Sequence, residues 1–196
     1  MLRLLPLAAL CALVALARSP FFANAESDRI SCSSLSNGNY KGARKFDIGL
    51  AACSRTINSG RFKDKGLASI YRARASWKQK TGELDAALAD YGISIRMEPD
   101  NVETYDYRAK VYQQQGNLDL ALAEYDHATK VDPTNAPAYF RRGPNYEKKG
   151  DLAKARAEYN SASAVPTKDR IAQWAQDNAR ARLKALAVDN KQEQNK

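Results

Sequence analysis

Three consecutive stretches decide how this chain folds. They are ASIYRARASWKQKTGELDAALADYGISIRMEPDN (Ala68–Asn101), VETYDYRAKVYQQQGNLDLALAEYDHATKVDPTN (Val102–Asn135) and APAYFRRGPNYEKKGDLAKARAEYNSASAVPTKD (Ala136–Asp169). Each is 34 residues long, and they align without a gap. Tyr71, Tyr105 and Tyr139 share a column, as do Arg74, Arg108 and Arg142. Small residues follow at Ala75, Ala109 and Gly143. Gly82, Gly116 and Gly150 each precede a leucine by two positions. Ala87, Ala121 and Ala155 align, and then Tyr91, Tyr125 and Tyr159. Ten tyrosines in 196 residues are too few for two such columns to arise by accident. A fixed period of this length marks stacked supersecondary units.

Each unit reads as two helices. In the second, Tyr105, Arg108, Ala109 and Tyr112 form one helical stripe. Gly116-Asn117 stops that helix and turns the chain. Leu118, Ala121, Leu122, Tyr125 and Ala128 mark one face of the second helix, which Asp132-Pro133 ends. Ala109 and Ala121 let the paired helices approach closely, and Tyr125 fills the gap. One hairpin cannot bury its own apolar face, whereas stacked neighbours can.

Over residues 68–165 these columns resemble the tetratricopeptide repeat family. The resemblance implies an all-α fold: a right-handed superhelix of three hairpins, with the first helix of each lining the concave side. More narrowly, the chain resembles exported repeat proteins of alphaproteobacteria. Those open with a cysteine-bearing segment like IGLAACSRTINSGRF (Ile48–Phe62) and close with one like QWAQDNARARLKAL (Gln173–Leu186). The expected organisation is a leader at 1–25, a cap segment at 26–67, hairpins at 68–101, 102–135 and 136–167, a capping helix at 168–188 and a disordered tail at 189–196. Three departures stand out. Residues 29–66 carry no full first helix. Pro144 falls inside the first helix of the third unit, where a proline costs about 3 kcal/mol, so that helix is expected to kink or start late. Pro166 arrives one residue earlier than Pro99 and Pro133 predict, which shortens the third hairpin.

The leader is read from Arg3, the 14 apolar residues Leu4–Ala17, and Ala23-Asn24-Ala25, with cleavage after Ala25. The alternative is a membrane anchor, but Arg18 and Pro20 end the run well short of the ~20 residues a span needs. Export places the chain in the periplasm or outside the cell. The remaining cysteines, Cys32 and Cys53, then read as one disulfide in an oxidising compartment. Two buried free thiols are the alternative.

The composition excludes several chemistries. One histidine cannot build a multi-histidine metal site, and three cysteines cannot supply four thiolates. No phosphate loop, HExxH or GxSxG motif occurs. His127 has no marked catalytic partner and is expected to be solvated. No enzyme, cofactor or metal is expected. The net charge is +9, or +7 without Arg3 and Arg18 of the leader. It is uneven: residues 102–135 carry −3, while 28–66 carry +5 and both 136–167 and 168–196 carry +3. That is no continuous nucleic-acid stripe. Arg74, Arg108 and Arg142 recur with Asp90, Glu124 and Glu158, each 16 residues later. Paired columns of opposite charge predict an ion-pair ladder; the alternative is a row of arginines for an anionic ligand.

The expected function is a non-enzymatic scaffold that binds a protein or peptide in the concave groove. Arg72, Asp106, Tyr107, Lys110, Phe140 and Arg141 are the candidate contacts, aromatics supplying area and cations meeting carboxylates. A polar face that binds nothing specific is the alternative. The family's clamp for chaperone carboxylates is incomplete here: Arg72 and Arg141 fit, but Ser76 and Tyr107 stand where asparagines belong and Pro137 where a lysine does. A second functional reading is a structural envelope protein whose basic ends adhere to anionic surface polymers.

Overall fold

Glycine placement explains where the helices stop. Gly82, Gly116 and Gly150 adopt φ values of 86°, 79° and 77°, the left-handed region a residue without Cβ enters at little cost. The Gly82 N–H donates back to the Gln79 carbonyl, closing the helix. The computed structural model describes residues 27–30, 32, 33 and 44–194. The expected leader and its cleavage point lie outside the described residues. All described regular elements are helices, and the chain divides into two units, residues 1–98 and 99–196.

The first unit contains α1 (Arg44–Asn58), α2 (Asp64–Thr81) and α3 (Leu84–Met97). α2 starts four residues ahead of the repeat boundary at Ala68. It packs against α3 through Ala75, Ala87 and Tyr91, all fully buried. The other side of α2 covers α1, where Cys32, Ala52, Cys53, Ile70 and Trp77 form a core with Phe46, Leu50 and Phe62 at its edge. Cys32 and Cys53 are disulfide-bonded, with their Cα atoms 4.8 Å apart. The Trp77 indole N–H donates to the Cys32 carbonyl at 3.0 Å. Gly49 is required where it stands, because an added Cβ meets the Trp77 indole at 2.6 Å.

The second unit contains α4 (Val102–Gln114), α5 (Leu118–Val131), α6 (Ala136–Lys148), α7 (Leu152–Ala164) and α8 (Arg170–Gln194). Asn101 caps α4 by accepting from the Thr104 N–H, and Asn135 caps α6 by accepting from Ala138. Such caps satisfy amides the helix leaves unpaired. Ala109, Ala121 and Tyr125 are fully buried in one hairpin, and Ala155 and Tyr159 in the next. Tyr159 fills the space Gly143 leaves, so a Cβ there runs into its ring. α7 has 13 residues against 14 in α3 and α5, the shortening Pro166 predicts. α8 packs on α6 and α7 through Ala172, Ala175, Ala179 and Leu186. It continues to Gln194, past the Asp189 where a disordered tail is expected.

Two expectations are corrected. α6 does not start late: it runs unbroken through Pro144 and has the same 13 residues as α4. Buried Asn145 helps hold it, its amide donating to the Arg141 carbonyl at 2.9 Å while its oxygen accepts from Gln113 of α4. His127 is not a solvated surface residue. Its ring stacks on buried Tyr105, centroids 4.1 Å apart, and its Nε2 is buried with no hydrogen-bond partner among the described residues.

Candidate functional site

The repeated arginines are occupied inside their own hairpins. Arg74 grips Asp90 with two bonds of 2.7 and 2.8 Å. Arg108 Nη2 reaches Glu124 at 2.8 Å, and Arg142 Nη2 reaches Glu158 at 2.6 Å. Each guanidinium also lies over the tyrosine three residues earlier, 5.3 Å from the Tyr71 centroid, 5.8 Å from Tyr105 and 5.5 Å from Tyr139. Ring and carboxylate together hold each cation on two sides. The Asp90 hydrogen bond raises the Arg74 pKa above its ordinary value. In the third hairpin, burial moves the Glu158 carboxyl up against the opposing pull of Arg142. The ladder is therefore structural. Arg142 additionally pairs with Asp126 of α5, tying the second and third hairpins together.

The open chemistry lies between α4 and α6. Arg141 Nη1 donates to Asp106 Oδ1 at 2.9 Å, joining the two helices. Lys110 Nζ donates to the other oxygen, Asp106 Oδ2, at 2.7 Å. Asp106 is only 9% exposed, so one shielded carboxylate fixes two cations. Lys110 Nζ also sits 4.9 Å from the Tyr107 ring centroid, and the Tyr107 hydroxyl donates to Glu103 at 3.3 Å. These groups face a cleft of about 270 Å³, walled by Val102, Pro137 and Ala138 and edged by Ile171 of α8. Buried Tyr125 is close enough to feel Asp106 and Arg141. Burial first, and then the Asp106 charge, push its phenol pKa up, while Arg141 opposes them. A second depression of about 310 Å³ lies at the hairpin turns, where Lys149 pairs with Asp119. It has no aromatic wall.

Asp106, Tyr107, Lys110 and Arg141 thus meet in one place. Phe140 does not join them. It is half-buried between Tyr159 and Trp174, at 5.9 and 5.3 Å between centroids, because α8 covers it. Arg72 is half-buried on α2 of the first unit. Sequence reasoning missed Val102 and Ile171. Val102 opens a repeat and Ile171 lies outside the period, so no column marked either.

Residues 109–150 match a model described as TPR repeat, and residues 136–165 match one described as tetratricopeptide repeat. The helical hairpins α4–α5 and α6–α7 have that architecture. The fold is that of a tetratricopeptide-repeat protein. Solved structures of similar fold agree. The Yersinia enterocolitica type III secretion chaperone SycD, solved with a peptide of the translocator YopD, is 16% identical with a TM-score of 0.57; the match covers 62% of this chain and 93% of that one. A tetratricopeptide repeat protein from Parabacteroides merdae is 15% identical with a TM-score of 0.63, over 82% of this chain and 61% of that one. YrrB, described as a TPR protein with an unusual peptide-binding site, is 16% identical with a TM-score of 0.60, over 84% and 78%. No curated protein matches by sequence. Among the described residues, no group of three or more His, Cys, Asp or Glu could hold a metal ion, and no helix is long and apolar enough to cross a membrane.

Proposed function

We propose that this chain is a non-enzymatic scaffold that holds an extended peptide segment of a partner protein in the α4–α6 cleft. The carrying observation is the Lys110–Asp106–Arg141 triad beside the Tyr107 ring. Asp106 uses one donor of each cation, leaving further N–H groups for a ligand carboxylate or carbonyl. Tyr107, Val102 and Pro137 offer apolar area for a neighbouring side chain. Glu103, Asp106, Lys110 and Arg141 sum to zero charge, so affinity here rests on hydrogen bonds and burial more than on long-range attraction. Tetratricopeptide-repeat proteins are generally scaffolds of this kind, and SycD holds a translocator peptide.

The same reading makes the chain an exported protein, periplasmic or secreted, of the kind found in alphaproteobacteria. The apolar leader and the Cys32–Cys53 bond support it.

A displayed random-peptide library selected on the chain tests the cleft. Selected peptides should keep measurable affinity at ~0.5 M salt, where exposed charge attraction is screened. Tyr107→Ala and Arg141→Gln should each weaken them about tenfold, the loss of one charge-assisted bond or aromatic contact. Peptides that bind both variants as well as the parent, or that release fully in salt, overturn the proposal. Full release in salt would favour adhesion to anionic polymers.

A further inference from the structure

The closing helix of a repeat stack normally presents a polar outer face to water. α8 does not. With Ala172, Ala175, Ala179 and Leu186 buried, Ile171 is 62% exposed, Trp174 46% and Val188 55%. Ile171, Trp174, Asn178, Ala181, Ala185 and Val188 follow one another at spacings of 3, 4, 3, 4 and 3 residues. That is a heptad seam, the pattern that seats one helix on another. Ala181 is exposed, and Asn178 and Ala185 are half-exposed. Beside the seam lie exposed Asp177 and Lys184, which sit one position before consecutive a-type residues; Asp177 accepts from Arg180 of its own helix at 3.1 Å, an exposed contact it can share with a second cation.

We propose that α8 is a homodimerisation helix, pairing antiparallel with α8 of a second copy of this chain. The seam is complementary to itself in that orientation only. An antiparallel two-fold axis through the middle of the seam sets Ile171 opposite the partner's Val188, Trp174 opposite Ala185, and Asn178 opposite Ala181. Each large side chain then meets a smaller one. The same register sets Asp177 against Lys184 of the other copy, twice, because a two-fold contact repeats every pair. A parallel pairing sets Trp174 on Trp174 and turns Lys184 away from Asp177. It also asks the opposite flank for charge partners, where Ala175 is buried and Arg182 is held by shielded Glu147, a firmer pair than the exposed Asp177–Arg180 contact. One helix pair is a small interface, at or below the ~1,200 Å² lower bound for stable complexes, so the dimer is weak and concentration-dependent.

The test is sedimentation of the chain in the form its own cell accumulates, from micromolar concentrations up to about 1 mM. A monomer–dimer equilibrium is expected. Asp177→Lys and Lys184→Glu lie on exposed side chains and should each weaken dimerisation about tenfold by setting like charges together. The Asp177→Lys/Lys184→Glu double variant should restore it. Trp174→Cys with Val188→Cys does not report this register, whereas Trp174→Cys with Ala185→Cys should crosslink between copies on oxidation. A chain that stays monomeric up to about 1 mM, where a dissociation constant of about 1 mM would already show, overturns the proposal. So does a dimer indifferent to both charge reversals, or a monomer that instead co-sediments with anionic phospholipid vesicles.

Discussion

The opening segment of the first unit and the closing helix of the second solve the same problem differently. Each must cover the exposed flank of a hairpin. α1 has 15 residues and is fastened covalently, Cys53 to Cys32, with the Trp77 indole donating to the Cys32 carbonyl. α8 has 25 residues and is fastened by burial and by a polar latch. Glu147 accepts from both the Tyr159 hydroxyl and Arg182, whose Nε is 2.8 Å away, and Arg156 donates to the Leu186 carbonyl at 2.7 Å. A short cover lacks the apolar area to stay closed and takes a cross-link instead, while a long one can rely on packing. The first unit should therefore respond to reductant and the second to acid.

Each unit carries one of the two tryptophans, Trp77 and Trp174, so fluorescence reports on them separately. The largest effect is expected from Cys32→Ala/Cys53→Ala. Closing a loop of this length is worth about 3 kcal/mol in the chain-entropy model. Amide-exchange protection in α1 should collapse while α6 to α8 keep theirs. Equal loss in both units would erase the contrast. Next come the two glycines pressed against rings. Gly49→Ala and Gly143→Ala each drive a Cβ into an aromatic side chain, at about 1–3 kcal/mol for overpacking. Chemical denaturation should show the first in Trp77 emission and the second in Trp174 emission.

Smaller still is Arg182→Ala, at about 1 kcal/mol or less because its side chain is 46% exposed. Its pH dependence sharpens the comparison. The Arg182 hydrogen bond, with help from Tyr159, holds the Glu147 carboxyl below its ordinary value of 4.5. A lowered carboxyl stabilises the fold fully above its unfolded value, and the benefit is lost as pH falls through the folded one. Glu147→Gln should therefore melt below the parent at pH 6, with the gap shrinking as pH drops beneath 4.5. A gap that persists unchanged at pH 2.5 would mean the latch is steric.

Much of this was legible because the period is local information. A column repeated every 34 residues names the residues that pack, and Ala87, Ala121, Ala155 and the tyrosines after them are all fully buried. The arginine ladder was legible for the same reason, since its carboxylates repeat too. The stacking of those arginines on Tyr71, Tyr105 and Tyr139 was not inferred, although its spacing of three was in view. What escaped the reading depends on contacts outside the repeat. Phe140 looks wet until α8 is laid over it, His127 looks solvated until Tyr105 is placed beneath it, and Pro144 looks disruptive until Asn145 is seen bracing the helix. Asp106, Tyr107, Lys110 and Arg141 were legible as one face because three of them share a helix and the fourth stands on the equivalent helix of the next unit.

Amide-exchange footprinting of a library-selected peptide on the chain decides whether the cleft is the binding site. Slowed exchange is expected in α4 between Val102 and Lys110 and at the start of α6 between Asn135 and Arg141, with α1 to α3 unchanged. Protection confined to the first unit, or to the outer face of α8, would contradict it.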